Sequence, residues 1–272
     1  MTTKHANALD DFKTISEEQK QEFRKNGHTL VRNVLATEAV PYFQRVIGEA
    51  AQQHNEEKRK LQDRDTYGKA FLQIMNLWLT DEEVKRFVLA KRFAKIAADL
   101  LGVANVRLYH DQALFKEPGG GPTPWHQDQN YWPLDTNNTV TMWMPLVDIP
   151  TADMGMLTFA SGSHKEGNIS GLVISDESEA TFSKYVEEKG FPISRPTHMQ
   201  AGDATWHYGY TIHNAPGNSS ETMREVMTVI YFADGARITE PQHEWQENDR
   251  QQWLKGKPAG SFADSESNPA LL

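Results

Sequence analysis

Cysteine is absent from the 272 residues, which excludes disulfides, thiolate metal sites and cysteine nucleophiles together and fits a reducing compartment. Long apolar runs are missing as well. Nowhere do about 18 apolar residues follow one another, so no membrane partner is expected. Residues 1–12 have neither the apolar core of a secretion signal nor the arginine-rich pattern of a transit peptide, and a cytoplasmic location is expected. The triplets that begin at Asn137, Asn168 and Asn218 match a glycosylation pattern only by chance if there is no such signal. Positive charge is in deficit: 37 Asp and Glu against 28 Lys and Arg give a net charge of −9, which disfavours a nucleic-acid partner. No repeat period is visible. The glycines at 119–121 lack the Lys-Ser/Thr end of a phosphate loop and are not followed by a helical pattern, so they read as a flexible lip beside a site.

What is present divides into helices first and strands second. Ser16 with Gln19 forms a capping-box signature, and the run that follows stops at Asn26-Gly27 before the strand-like segment 28–31. Thr37 is a candidate N-cap for a helix towards His54. The charged stretch 55–65 reads as a helix end or a mobile loop, and 90–101 is an amphipathic helix stopped by Gly102. From Val103 the period becomes that of strands: 106–110, 112–116, 140–148, 156–160, 197–200, 204–208 and 225–233, with a helical insertion at 176–190. Short strands so punctuated imply a sandwich or barrel. One domain over 1–272 is expected, with 1–102 as helical support, 103–235 as β core and 236–272 wrapping the surface, pinned at Trp245 and Trp253.

The chemistry concentrates in Trp125-His126-Gln127-Asp128, His213 and Arg224. In an extended chain His126 and Asp128 share a face, and a distant histidine can complete a three-ligand set that leaves open positions on the metal. Two histidines and a carboxylate on one face are the arrangement of a non-haem Fe(II) oxygenase. His-x-Asp alone is a weak signal; the glycine-rich loop before it, Tyr131 and Trp132 after it, and the later His213 and Arg224 give it weight. A guanidinium fork such as Arg224 can anchor the far carboxylate of a chelating keto diacid through two parallel hydrogen bonds. His164 reads as a loop fastener, His110 as pocket or core, and His207, six residues before His213, as pointing elsewhere if its strand is regular.

These residues, together with Trp143, the segment 155–165 and Gly202-Asp203, resemble the phytanoyl-CoA dioxygenase family of Fe(II)- and 2-oxoglutarate-dependent oxygenases over roughly 16–235, most strongly over 106–232. The resemblance implies a mainly β fold with flanking helices, a double-stranded β-helix of the jelly-roll, cupin-like kind. It implies metal ligation by His126, Asp128 and His213, and anchoring of 2-oxoglutarate by Arg224, with Gln127, Trp143 and Gln112 around the co-substrate. Ala215 stands where this family often has a small hydroxyl residue, so one co-substrate hydrogen bond must come from elsewhere or be missing. Asp128 argues against halogenation, which needs a small residue at that position. The implied reaction couples O2 and 2-oxoglutarate to hydroxylation of a C–H bond, releasing succinate and CO2; desaturation, epimerisation and ring formation use the same core. A cupin-like metal-binding protein without oxygenase activity is the rival, disfavoured by Arg224.

Trp125, Tyr131, Trp132, Trp206, Tyr208 and Tyr210 cluster around the ligands in sequence, and several are expected at the mouth of the site. No basic cluster suited to a CoA diphosphate lies near the motif. A free, largely apolar small molecule is therefore the expected substrate rather than an acyl-CoA.

Overall fold

The computed structural model describes residues 9–272, so the reading of 1–12 as lacking a leader lies mostly outside the described residues. Helix α1, Glu17–Asn26, begins at Ser16 with the reciprocal capping bonds to Gln19, both 3.2 Å, and ends at Gly27 with φ 84°. A side chain at Gly27 would also meet His164 and Thr211 at 2.4 and 2.7 Å, so glycine is required twice over. Strand β1, His28–Val31, follows. Thr37 does not cap a helix; it opens a 3-10 turn, and α2 runs Val40–His54 with Pro41 in its first turn. Elements the sequence pattern did not expose come next, first α3, Thr66–Ala70, and β2, Leu72–Met75. Then come α4, Glu82–Val88, capped by Asp81, and α5, Lys91–Leu101. On α5 Phe93, Ile96 and Leu100 are fully buried, each contributing roughly 1.5 to 3 kcal/mol.

The β region comprises β3 (Val106–Phe115), β4 (Thr123–His126), β5 (Thr139–Pro145), β6 (Thr158–Ala160), β7 (Ile193–Ser194), β8 (Ala204–Tyr208), β9 (His213–Ala215) and β10 (Val226–Ala233). Helix α6, Asp176–Lys189, interrupts it and α7, Glu244–Gln252, follows it. A six-stranded antiparallel sheet has the order β1-β8-β5-β10-β3-β2, and a four-stranded one β4-β9-β6-β7. Residues 197–200, expected as a strand, make only an isolated bridge from Met199 to Ile149. Among the described residues no helix is long and apolar enough to cross a membrane.

Alternation decides what each strand shows to either side. On β5 Val140, Met142 and Met144 join the core under the helices, whereas Thr141 and Trp143 line a cavity between the sheets. On β10 Met227, Val229 and Tyr231 take the helix side and Thr228 and Ile230 the cavity side. Strand β3 carries a bulge: Ile230 pairs with His110 but Tyr231 with Leu108. The extra residue shifts the phase, so Leu108 enters the helix-side core while His110 and Gln112 face the cavity.

Candidate active site

The cavity has a volume of about 250 Å³, and the two sheets both contribute to its walls. His126 is the last residue of β4; Gln127 is still extended, with φ −122° and ψ 125°, and Asp128 starts a 3-10 turn. That one extended residue suffices to bring the side chains of His126 and Asp128 together. Strand β9 pairs with β4 so that His213 lies directly opposite His126, with ring centroids 4.1 Å apart. Asp128 Oδ1 lies 3.4 Å from His126 Nε2 and 3.6 Å from His213 Nε2.

Local hydrogen bonds orient these rings. His126 Nδ1–H donates to the Pro124 carbonyl at 2.8 Å and His213 Nδ1–H to the Thr211 carbonyl at 2.9 Å, which leaves both Nε2 lone pairs aimed inwards. Burial, with His126 and His207 nearby, holds the His213 imidazole well below its ordinary pKa. Burial alone would raise Asp128, but His213, His126 and His207 outweigh it and keep the carboxyl well below the usual range. Two imidazole nitrogens and a carboxylate oxygen, all within 4.8 Å of one another, are a donor set for a divalent cation.

Arg224 is 2 % exposed and lines the same cavity. Its Nη1 donates to Gly155 O at 2.8 Å and Nη2 to Leu114 O at 3.1 Å, while the Nε–H has no partner among the described residues. Its guanidinium sits 5.4 Å from the Trp143 ring, and burial pushes its pKa down to about 9. Gly155, at φ 77°, permits this approach: a Cβ there would meet Lys116 at 2.9 Å and Arg224 Nη1 at 3.1 Å.

Gln112 lines the cavity, its side-chain Oε1 accepting from Gln73 Nε2 at 2.7 Å. Gln127 does not. Its side chain turns to the other side of the chain from those of His126 and Asp128, donating to Gly167 O and Tyr210 O and accepting from Ile169 N–H, so it fastens loops rather than lining the cavity. His207 corrects a second expectation. Strand β8 belongs to the large sheet and β9 to the small one, so the turn between them brings the two histidine rings together, centroids 4.3 Å apart and tilted by 52°. His207 Nε2 lies 3.2 Å from Asp128 Oδ2, and Thr141, its cross-strand partner, donates to the same oxygen at 2.9 Å. Alternation along β8 could have put His207 on the cavity face; what hid it was the change of sheet after Tyr208.

Of the six rings that cluster around the site in sequence, several of them expected at its mouth, Tyr131 and Trp132 line the cavity. Trp206 lies in the helix-side core, Trp125 packs beneath α6, and Tyr208 stacks on Phe23 at 4.2 Å. Tyr67, Phe71, Trp245 and Trp253 also line it, brought from α3, its following residue and the C-terminal region. Glycines 119–121 form no loose lip, because their amide N–H groups bond Asn218 O, Glu117 O and Lys69 O, each at 2.8 Å. His164 does fasten a loop, through Arg24 O at 3.1 Å.

Two facing antiparallel sheets with a buried two-histidine, one-carboxylate cluster and a buried arginine in one cavity define the jelly-roll oxygenase class. The chain belongs to the phytanoyl-CoA dioxygenase (PhyH) family, whose profile matches residues 23–226, and it is a non-haem Fe(II)- and 2-oxoglutarate-dependent dioxygenase. It is 23 % identical over 235 residues to a Stutzerimonas stutzeri protein described as a probable alpha-ketoglutarate-dependent hypophosphite dioxygenase, covering 80 % of this chain and 79 % of that one. Among solved structures it is similar to the non-heme alpha ketoglutarate dependent carbocyclase SnoK from nogalamycin biosynthesis, with a TM-score of 0.78, 23 % identity and coverage of 95 % and 97 %. The epimerase SnoN from the same biosynthesis gives 0.76, 23 %, 94 % and 98 %.

Proposed function

We propose that this dioxygenase hydroxylates an unactivated C–H bond of a small, largely apolar organic molecule, with His126, Asp128 and His213 as the iron ligands and Arg224 as the anchor for the distal carboxylate of 2-oxoglutarate. The observation that carries the reading is the cavity itself. It joins an inward-facing three-donor cluster to a buried arginine that has no acidic partner among the described residues. A plain metal-binding barrel has no need of such an anchor. When bound, iron with O2 and 2-oxoglutarate supplies the oxidising power, and the co-substrate leaves as succinate and CO2.

The chain's own residues supply position and exclusion of water. Thr141 and His207 hold Asp128 Oδ2, fixing Oδ1 towards the two imidazoles. The Arg224 Nε–H, desolvated and unpartnered, is available to a carboxylate, and the Trp143 ring flanks it. Gln112 stays in the proposed co-substrate wall; Gln127 does not. The hydroxyl missing at Ala215 has a substitute directly across the strand pair, since Thr123 is the register partner of Ala215 and lines the cavity. Lys116 Nζ donates to Thr123 Oγ1 at 3.3 Å, which leaves the hydroxyl proton free for a co-substrate oxygen.

One catalytic domain over 1–272 is part of the proposal, supported by Tyr67 from the helical part and Trp253 from the C-terminal part lining one cavity. A cytoplasmic location also belongs to it, in keeping with the absence of cysteine. The names of SnoK and SnoN keep ring formation and epimerisation as the second reading, because outcome depends on substrate placement within a shared core. The test is substrate-triggered succinate release across a panel of free apolar molecules and matched CoA thioesters. A response confined to the thioesters would overturn the free-molecule substrate, and product mass separates hydroxylation from the other outcomes.

A further inference from the structure

Rings wall much of the cavity: Tyr67, Phe71, Tyr131, Trp132, Trp245 and Trp253. Tyr131 and Trp245 meet edge to face, 6.5 Å apart at 75°, and Trp245 is 46 % exposed although it is a large apolar side chain. Besides Asp128, one carboxylate lines the same cavity, that of Asp249 on α7. Its Oδ2 accepts from the Tyr109 hydroxyl at 2.9 Å and its Oδ1 from the Trp253 indole N–H at 3.2 Å. Both donors are neutral. The nearby His110 ring, 5.7 Å from Trp253, is pushed by burial down to about 3 and supplies no positive charge. Burial drives the Asp249 carboxyl up to about 7, the mark of a desolvated acid without a cation beside it.

Charge counting isolates Asp249. A ferrous ion and the Arg224 guanidinium together offset the Asp128 carboxylate and a doubly charged co-substrate, and no lysine or second arginine lines the cavity among the described residues. The Asp249 charge is left over. Aromatic faces attract cations and disfavour anions, so rings and carboxylate select in the same direction. A hypophosphite-like anion would find no lysine or arginine among the lining residues other than Arg224, which the co-substrate occupies in the proposed arrangement.

We infer that the substrate carries a basic or quaternary nitrogen, held by the aromatic wall and Asp249, on an otherwise apolar skeleton. This rests on the reading given under Proposed function and narrows its substrate class. The test is anaerobic calorimetry on the Fe(II)- and 2-oxoglutarate-loaded enzyme with three probes that share one ring: benzyltrimethylammonium, benzyl alcohol and benzoate. The ammonium is expected to bind roughly 10-fold tighter than the alcohol, with benzoate weakest, and Asp249→Asn to remove most of that preference. Equal affinity for ammonium and alcohol, or an undiminished preference in a folded Asp249→Asn enzyme, overturns the inference. Should the variant not fold, the wild-type series decides alone. Fe(II)-dependent binding of 2-oxoglutarate is measured on the same samples: its failure counts against the proposed function, whereas its presence without a cation preference counts against this inference only.

Discussion

At the scale of single residues, Asp128 has two oxygens with two different tasks. Oδ1 faces the histidine nitrogens and Oδ2 is held by Thr141 and His207. Asp128→Ala or His213→Ala is therefore expected to abolish turnover and strip Fe(II), read as metal content after gel filtration, with the fold retained because hydrophobic core holds the sheets. Thr141→Val removes only an orienting bond and should weaken Fe(II) affinity by roughly 10- to 100-fold, measured by metal competition; an unchanged affinity would remove Thr141 from the site. Arg224→Leu is expected to raise the KM for 2-oxoglutarate while leaving Fe(II) affinity little changed. It should also lower the unfolding midpoint, because Gly155 O and Leu114 O lose their buried donors at a cost of about 1 to 3 kcal/mol each. A normal KM in that variant moves the anchor elsewhere.

At the scale of elements, β3 has a different neighbour on each face. Its bulge turns His110 and Gln112 to the cavity while Asp111, on the opposite side, accepts the amide N–H groups of Leu77 at 3.0 Å and Trp78 at 3.4 Å. Asp111 is wholly buried, and burial raises its carboxyl from 3.8 to about 7 despite those bonds. Above the unfolded pKa the folded chain keeps a proton that the unfolded chain releases. Its contribution to stability is thus full in acid and is lost as pH rises through about 7. Asp111→Asn removes this dependence, so relative to wild type the variant should gain stability as pH rises from 3.8 to about 7, compared by urea midpoints at each pH. A constant difference across that range would mean that Asp111 titrates normally. Helix α7 supplies Trp245 and Asp249 to the cavity, and the segment beyond it returns to β3, where Leu271 N–H bonds Val106 O at 3.1 Å and Asn268 bonds Leu108 O at 3.1 Å.

At the scale of the whole molecule, the site joins distant parts of the chain, since β4, β9, β5, β8 and the segment after β9 each bring one or more of its residues. A ligand that bridges these parts only in the folded state must stabilise the fold. Fe(II) with 2-oxoglutarate, each at about 100 times its dissociation constant, is expected to add roughly 2.7 kcal/mol per ligand, seen as a rise in melting temperature. Arg224→Leu should lose the 2-oxoglutarate increment and keep that of Fe(II). No rise with either ligand in the wild type would count against the cavity as their site.

The sequence by itself determined what depends on residue type and short spacing. Ser16, Gln19 and Gly27 mark the ends of a helix because capping bonds span only a few residues. His126 and Asp128 face together because one extended residue lies between them, and the distant His213 and Arg224 could be singled out because the proposed chemistry asks for a third donor and an anchor. Gln127 was misplaced, since adjacency to His126 and Asp128 says nothing about which side a side chain takes. Only the tertiary structure decided the cross-strand relations. It set His207 and Thr141 on one carboxylate oxygen, put Thr123 opposite Ala215, shifted the phase of β3 by a bulge, and brought Asp249 and Trp253 into the cavity. Register, a change of sheet and the return of a late helix are contacts between segments far apart in the chain, and no local period encodes them.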